Sequence, residues 1–220
     1  MQTVFITGVS RGIGKALAEK FLKEGYEVIG TSTAGKAEIK NKNLTILKLD
    51  LSLPKSIEQC VKDFEKLNKR IDILVNNAGI HISKDLIMNV NNLRKILEVN
   101  LIGTIDLTER LILFIKEGGK IINISSRAGS ITNVGIKKDV NFSDYRISKA
   151  ALNMYTKTLS IRLENKKIMV ASIHPAWVET DLGGKGATFK PHESADNVYN
   201  RIITLKETGK FWFKQEELPW

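Results

Sequence analysis

Residues 7–14 read Thr7-Gly8-Val9-Ser10-Arg11-Gly12-Ile13-Gly14, with glycines spaced G-x3-G-x-G. A short apolar run, Val4–Ile6, precedes them, and a stretch with helical spacing of apolar residues, Ile13–Lys23, follows. Glycines between a strand and a helix let the backbone approach a pyrophosphate, and the N–H groups at the start of the helix attract the anion. The turn therefore predicts a dinucleotide-binding site, and a merely flexible glycine turn is the alternative. The contacts predicted here are Gly8, Ser10, Arg11, Gly12, Ile13 and Gly14.

Apolar runs alternate with helical patterns along the rest of the chain. Further strands are predicted at Tyr26–Gly30, Leu44–Leu49, Ile71–Val75, Lys120–Ser125, Ile168–Ile173 and Phe211–Phe213, and helices at about Pro54–Asn68, Val90–Lys116, Ser143–Leu163 and Ser194–Leu205. Such alternation is typical of a parallel sheet with helices on both faces. We therefore expect one α/β domain over residues 1–220, a Rossmann-type doubly wound parallel sheet of about seven strands. Its ligand site should lie at the carboxyl ends of the strands.

Composition limits the class of partner. The 220 residues carry a formal net charge of +10, which would attract an anionic ligand. The basic residues are scattered and not interleaved with aromatic ones, so we expect no nucleic-acid partner. No apolar run approaches the ~18 residues of a membrane span, and the first residues read as a strand rather than a secretory signal. The single cysteine, Cys60, favours a reducing compartment. We therefore expect a cytoplasmic protein. We also expect no metal site, because His81 and His192 belong to no ligand cluster.

The end of the second predicted strand bears on which dinucleotide is bound. An Asp or Glu there usually holds a free ribose 2′-hydroxyl, but the chain reads Gly30-Thr31-Ser32-Thr33-Ala34 and the first acid is Glu38. Arg11 in the glycine turn and the hydroxyl of Ser32 are suited to a 2′-phosphate, and Lys36 offers a second cation. These features favour NADP(H) over NAD(H).

Six motifs in order resemble those of the short-chain dehydrogenase/reductase family. They are the glycine turn, Asn76-Asn77-Ala78-Gly79, Asn100 in the long helix, Asn123-Ile124-Ser125-Ser126, Tyr145-Arg146-Ile147-Ser148-Lys149, and His174-Pro175-Ala176-Trp177-Val178-Glu179-Thr180-Asp181. The last motif and residues 209–220 resemble the C-factor and sniffer-type carbonyl reductases of that family. The resemblance implies an oxidoreductase that interconverts a small-molecule carbonyl and an alcohol by hydride transfer. A dinucleotide-binding signalling protein of the C-factor type with little turnover is the alternative.

Tyr145 is the candidate acid, since carbonyl reduction needs a proton donor as well as a hydride donor. Lys149 follows it by one helical turn on the same face, so its charge is expected to lower the pKa of Tyr145 toward neutral pH. An exposed Tyr–Lys helix pair is the alternative. The resemblance also implies that Lys149 holds the nicotinamide ribose.

Ser126 is expected to hydrogen-bond the substrate carbonyl, with Ser125 as the competitor. Adjacent strand residues face opposite sides, so only one of the two should face the site, and the resemblance favours Ser126. Asn100 is expected to hold a water near Lys149 and complete a proton relay, unless it merely satisfies a kink in its helix.

The resemblance implies further cofactor contacts. Asp50 and Leu51 would meet the adenine ring, although Asp50 is also suited to capping its own loop. The remaining contacts are Asn77, Ala78 and Gly79 near the adenosine ribose, Pro175, Val178 and Thr180 near the nicotinamide, and the catalytic Asn100, Tyr145 and Lys149.

Three departures from the family pattern concern the substrate side. Ala176 stands where glycine is usual, and its methyl group would crowd the nicotinamide or be tolerated. Residues 132–141 are expected to form a loop at the mouth of the site, and the short stretch between Thr180 and Ser194 predicts an open pocket for bulky carbonyls. The resemblance also implies a homodimer through the long helix and the next one, at about residues 101–115 and 150–163.

Overall fold

The computed structural model of the chain describes residues 1–82, 87–132 and 142–220. In these residues eight strands form one sheet in the order β3-β2-β1-β4-β5-β6-β7-β8. The strands are β1 (Thr3–Ile6), β2 (Glu27–Ser32), β3 (Leu44–Lys48), β4 (Ile71–Asn76), β5 (Ile115–Ile124), β6 (Met169–Ile173), β7 (Lys210–Phe213) and β8 (Glu216–Leu218). The α-helices of the described residues are α1 (Gly12–Lys23), α2 (Pro54–Glu65), α3 (Val90–Leu97), α4 (Thr104–Leu111), α5 (Ser143–Arg162) and α6 (Pro191–Ile203).

The predicted doubly wound parallel sheet is confirmed, with one strand more than expected. Strands β1 to β7 pair in parallel, and β8 pairs antiparallel with β7. The sequence gives little signal for β8, because it has only three residues and two of them are Glu216 and Glu217.

Two hydrophobic cores cover the two faces of the sheet. Successive residues of a strand point to opposite faces, so in β1 Phe5 belongs to one core while Val4 and Ile6 belong to the other. The Phe5 side is covered by α2, α4 and α5, and the opposite side by α1 and α6. Both faces are therefore buried, which explains why the strands read as continuous apolar runs.

The long helix predicted over Val90–Lys116 is interrupted. A π-helical segment, Glu98–Gly103, separates α3 from α4, a short 3₁₀ turn covers Ile112–Phe114, and β5 begins at Ile115. At Gly103 a Cβ would collide with the carbonyl oxygen of Leu51. The helix therefore passes so close to the loop after β3 that only glycine fits.

A buried polar ladder crosses the sheet beneath the carboxyl ends of three strands. Asn76, Asn123 and Ser172 lie side by side in register on β4, β5 and β6. Asn76 Nδ2 donates to Asn123 Oδ1 at 2.8 Å, Asn123 Nδ2 donates to Thr156 Oγ1 at 2.8 Å, and Thr156 Oγ1 lies 2.9 Å from Ser172 Oγ. Because Thr156 belongs to α5, the ladder fixes that helix against the sheet.

Candidate active site

A cavity of about 1260 Å³ opens at the carboxyl ends of the strands. Every residue predicted to contact the dinucleotide lines it except Asn100, and Ser126, Tyr145 and Lys149 line it as well. The topology accounts for this convergence, since parallel strands end at the same edge and present their following loops together.

The glycine turn has the close backbone approach that its spacing predicts. Gly8 and Gly12 have φ of +74° and +58°, values that side chains rarely allow. A Cβ on Gly14 would collide with the carbonyl oxygen of Gly8 and with the amide of Asn77. No side chain caps the first turn of α1, so its N–H groups are available to an anion. The turn therefore fits the pyrophosphate of a dinucleotide.

Thr7 holds the turn against the end of β4 and was not singled out from the sequence. Its buried Oγ1 accepts hydrogen bonds from the backbone N–H groups of Asn77 and Ala78, both at 2.9 Å. Asn77 Nδ2 donates in return to the Thr7 carbonyl oxygen at 2.9 Å. These hydrogen bonds join the glycine turn to the loop after β4. The sequence feature that could have indicated this contact is the threonine directly before the first glycine.

The end of β2 differs in part from expectation. Ser32 Oγ donates to the Lys36 carbonyl oxygen at 2.8 Å and accepts from the Lys36 N–H at 3.0 Å, so its only proton is already used within its own loop. Its exposed neighbour Thr33, for which no role was predicted, lines the cavity. Arg11 lines it too, and its guanidinium forms an ion pair with Asp181 at 2.7 Å.

Asp50 caps its own loop, which is one of the two roles considered for it from the sequence. Its Oδ1 accepts from the N–H and the hydroxyl of Ser52 at 2.9 and 2.6 Å. The residue still lines the cavity beside Leu51, and contact of either residue with adenine stays a prediction.

The two adjacent serines after β5 both line the cavity but differ in burial and in hydrogen-bond partners. Ser125 is buried, and its Oγ donates to Asn153 Oδ1 at 2.6 Å. Ser126 is half-buried in the cavity wall, where its Oγ accepts from the Ala128 N–H at 3.1 Å, and it acts to lower the pKa of the neighbouring Tyr145. The hydroxyl beside the phenol is thus that of Ser126.

Burial separates the pKa values of Tyr145 and Lys149. It raises the pKa of Tyr145 to about 12, against the opposing effect of Ser126, and it lowers the pKa of Lys149 to about 8. Lys149 Nζ donates to the Ile124 carbonyl oxygen at 2.8 Å and lies 5.7 Å from the centroid of the Tyr145 ring. The pKa of Tyr145 therefore lies above its ordinary value, and the prediction that it falls toward neutral pH is wrong, because burial of the phenol dominates.

Asn100 lies in the π-helical segment just behind the cavity wall. Its Oδ1 accepts from the Ile80 N–H at 2.8 Å, and its Nδ2 donates to the Ile80 carbonyl oxygen at 2.9 Å and to Ser148 Oγ at 3.2 Å. A Cβ on Gly79 would lie 3.3 Å from Asn100 Oδ1 and 3.7 Å from Lys149 Nζ. Asn100 thus fixes the chain next to Lys149, and the water relay stays a prediction.

His81 is a further cavity residue that was given no role. Its ring lies 5.3 Å from that of Tyr145. Asn100 binds both backbone polar groups of Ile80, the residue before His81. It therefore also fixes the backbone from which the His81 side chain extends. A lone histidine in a loop gave no sequence signal for this contact.

The segment after β6 forms the opposite wall. Ala176 has φ of +78°, a left-handed conformation that explains why glycine is usual there. Exposed Trp177 lines the cavity and donates from Nε1 to the Gly183 carbonyl oxygen at 2.8 Å. Thr180 Oγ1 accepts from the Gly183 N–H at 3.1 Å, and its methyl lies 3.2 Å from where a Cβ on Gly12 would be.

The predicted loop at the mouth of the site lies almost wholly outside the described residues. Its first residue, Thr132, is described, and its N–H and Oγ1 donate to the Trp220 carbonyl oxygen at 3.2 and 3.0 Å.

In the described part of the chain, no group of three or more His, Cys, Asp or Glu is arranged to hold a metal ion. Among the same residues, none of the helices combines the length and apolar character needed to cross a membrane.

Comparison with known proteins agrees with this geometry. The short chain dehydrogenase family model matches residues 2–190. The 3-oxoacyl-(acyl-carrier-protein) reductase FabG of Aquifex aeolicus is 36% identical over 189 residues, covering 80% of this chain and 74% of the relative. The carbonyl reductase Sniffer of D. melanogaster has a TM-score of 0.90 at 28% identity, with both chains covered in full. The NADPH-bound carbonyl reductase from chicken fatty liver has a TM-score of 0.91 at 26% identity, covering 100% of this chain and 94% of that one.

The family motifs, the parallel sheet and the cavity at its carboxyl edge thus agree with the sequence and structural matches. The chain belongs to the short-chain dehydrogenase/reductase family, resembles the sniffer-type carbonyl reductases within it, and is an NAD(P)-dependent oxidoreductase.

Proposed function

We propose that this enzyme is an NADP(H)-dependent reductase that interconverts a small-molecule carbonyl and its alcohol, with Tyr145 as the acid. The observation that carries the proposal is the position of Ser126, Tyr145 and Lys149 together on the wall of the cavity that the glycine turn enters. Relatives named as carbonyl or 3-oxoacyl reductases support it.

The reduction needs a proton at the carbonyl oxygen, and Tyr145 is in the right state to supply it. With a pKa of about 12 the phenol is protonated at neutral pH, so its proton passes to the substrate oxygen as that oxygen gains negative charge. Ser126 donates a hydrogen bond to the same oxygen. Lys149, still charged below its pKa of about 8, stabilises the phenolate that forms. The nicotinamide, when bound, supplies or accepts the hydride.

Preference for the 2′-phosphate form of the cofactor rests on the charge around the end of β2. No carboxylate lies in residues 30–34, and the Arg11 side chain is largely exposed beside the cavity. The NADPH bound to the chicken carbonyl reductase supports the same choice. Arg11 must leave Asp181 to reach a phosphate, and such an exposed ion pair costs at most ~1 kcal/mol to break.

We further propose that the enzyme is cytoplasmic and forms a homodimer. The only cysteine, Cys60, is buried, and burial raises its pKa to about 12, which suits a thiol kept reduced in the cytoplasm. A homodimer is supported by exposed apolar side chains on α5, namely Met154 and Ile161, which lie in the second of the two segments expected to form it.

The test combines cofactor binding with turnover. Nicotinamide fluorescence should show tighter binding of NADPH than of NADH, and NADPH oxidation should depend on an added aldehyde. Tyr145→Phe should lose nearly all turnover while binding NADPH as the wild type does, because the variant lacks only the phenol proton. Tyr26→Phe, remote from the cavity, is the matched control. If Tyr145→Phe keeps full activity, the acid is misassigned; if the wild type binds cofactor but turns over no carbonyl, the signalling alternative gains.

A further inference from the structure

We propose that Arg127 is a specificity-determining residue that binds a carboxylate on the substrate, so that the enzyme prefers carbonyl compounds carrying such a group. The proposal deepens the reductase function above and rests on it. Arg127 follows Ser126 directly in the chain and lines the same cavity.

The backbone around Arg127 is held firmly. Residues 127–129 form a 3₁₀ turn in which the Gly129 N–H donates to the Ser126 carbonyl oxygen at 2.9 Å. A Cβ on Gly129 would lie 2.6 Å from the Lys149 carbonyl carbon and 2.8 Å from the Ala150 nitrogen. The turn therefore packs directly against the backbone of α5, so Arg127 keeps a fixed position relative to Tyr145 and Lys149.

The guanidinium of Arg127 lies over an aromatic ring beside the cavity. Its central carbon lies 4.5 Å from the centroid of the Phe213 ring, and that ring in turn lies 5.2 Å from the ring of His174. A guanidinium has five N–H donors in a planar fork that matches a carboxylate, and contact with an aromatic ring does not neutralise its charge. The side chain is 47% exposed, so a ligand in the cavity can reach it.

The charge of Arg127 is poorly neutralised. Its acidic neighbour Glu216 lies 4.0 Å away and is 70% exposed. The carboxylates that line the cavity are occupied elsewhere: Asp181 pairs with Arg11 at 2.7 Å, Glu179 with Lys190 at 2.6 Å, and Asp50 accepts from Ser52. The positive charge of Arg127 also contributes, after burial, to lowering the pKa of His174 to about 3. His174 is therefore neutral and does not add a competing cation.

The experiment compares 4-carboxybenzaldehyde with its methyl ester, which has the same reacting carbonyl without the charge. We expect the wild type to favour the acid by about tenfold in kcat/KM, mainly through KM, as one charge-assisted contact would give. Arg127→Met should remove this preference and leave kcat/KM for the ester within about twofold. Arg110→Met, which deletes a surface cation on α4, should keep the preference, and Glu216→Gln should increase it by removing the competing acid.

Three results would overturn the proposal. They are no acid preference in the wild type, an equal loss for acid and ester in Arg127→Met, and weaker NADPH binding in that variant, which would assign Arg127 to the cofactor. If neither aldehyde is turned over, the reductase function fails as proposed. Calorimetric binding of 4-(hydroxymethyl)benzoate to the wild type and to Arg127→Met, in the presence of NADP, then still decides whether Arg127 holds a carboxylate.

Discussion

Tyr145 and Lys149 are separated by one helical turn, yet burial moves their pKa values in opposite directions, to about 12 and about 8. Desolvation disfavours the charged form of each group. The order of titration is therefore inverted: as pH rises, the lysine loses its proton well before the phenol does. The pair is prepared to donate a proton to a carbonyl oxygen at neutral pH.

This order of titration predicts the pH profile of carbonyl reduction. Since Lys149 is charged below about pH 8 and neutral above it, kcat/KM for an aldehyde should be level near neutrality and fall as pH passes that value. The phenol of Tyr145 stays protonated throughout, so it contributes no second decline in the accessible range. Steady-state rates with NADPH at saturating concentration measure the profile.

Lys149→Met serves as the comparison. It should be slower than the wild type at neutral pH and should lack the decline above about pH 8, because the titrating amine is gone. A wild-type profile that stays level to about pH 10, or a decline that persists in the variant, would contradict the assignment.

The sequence predicts which residues lie at the site better than it predicts how deeply they are buried or what they hydrogen-bond. Strand alternation indicated that only one of the two serines would face the site, and the family resemblance favoured Ser126. The structure has both serines in the cavity wall, with the Ser125 hydroxyl bonded to Asn153, so the role of Ser126 stays a prediction. The direction of the Tyr145 pKa shift was missed, because spacing indicates that a lysine is near and says nothing of how deeply the phenol is buried. Similarly, Ser32 is present where a phosphate contact was expected, but its proton is donated within its own loop.

At the scale of elements, the π-helical segment Glu98–Gly103 carries the one catalytic candidate that does not line the cavity. Asn100 directs its amide at both backbone polar groups of Ile80. The apolar residues over Val90–Lys116 were interpreted as one continuous helix, so this interruption was not predicted. Such segments recur at functional sites, and here the widened turn joins the helix to the loop bearing His81.

Asn100→Ala tests what that contact contributes. The variant leaves the Ile80 N–H and carbonyl without their side-chain partner, so the free energy of unfolding should fall by about 1–3 kcal/mol. Urea unfolding followed by circular dichroism measures the loss. Turnover should also fall, because the wall beside Lys149 is no longer fixed.

Asn91→Ala, at an exposed position on α3, provides the comparison and should change stability by less than about 0.5 kcal/mol. If Asn100→Ala were as stable as this control and equally active, the amide would have no positioning role.

At the scale of the whole molecule, the exposed apolar side chains of α5 predict self-association. Met154 and Ile161 are 65% and 64% exposed and seven residues apart, which places them on one face of the helix. Sedimentation should give a dimer for the wild type and a monomer for Met154→Glu with Ile161→Glu, since each charge would be buried in the interface. Ile203→Glu on α6, across the sheet, should remain dimeric. A monomeric wild type would exclude the dimer.

Strand β8 bears on the ways in which copies of this protein can associate. A parallel sheet that ended at β7 would present an open row of backbone donors and acceptors, a template for further strands. Instead the last strand is three residues long, turns back antiparallel, and carries Glu216 and Glu217. Short, charged edge strands resist extension by another chain. The protein is thereby protected on this side against growth of the sheet from one molecule into the next.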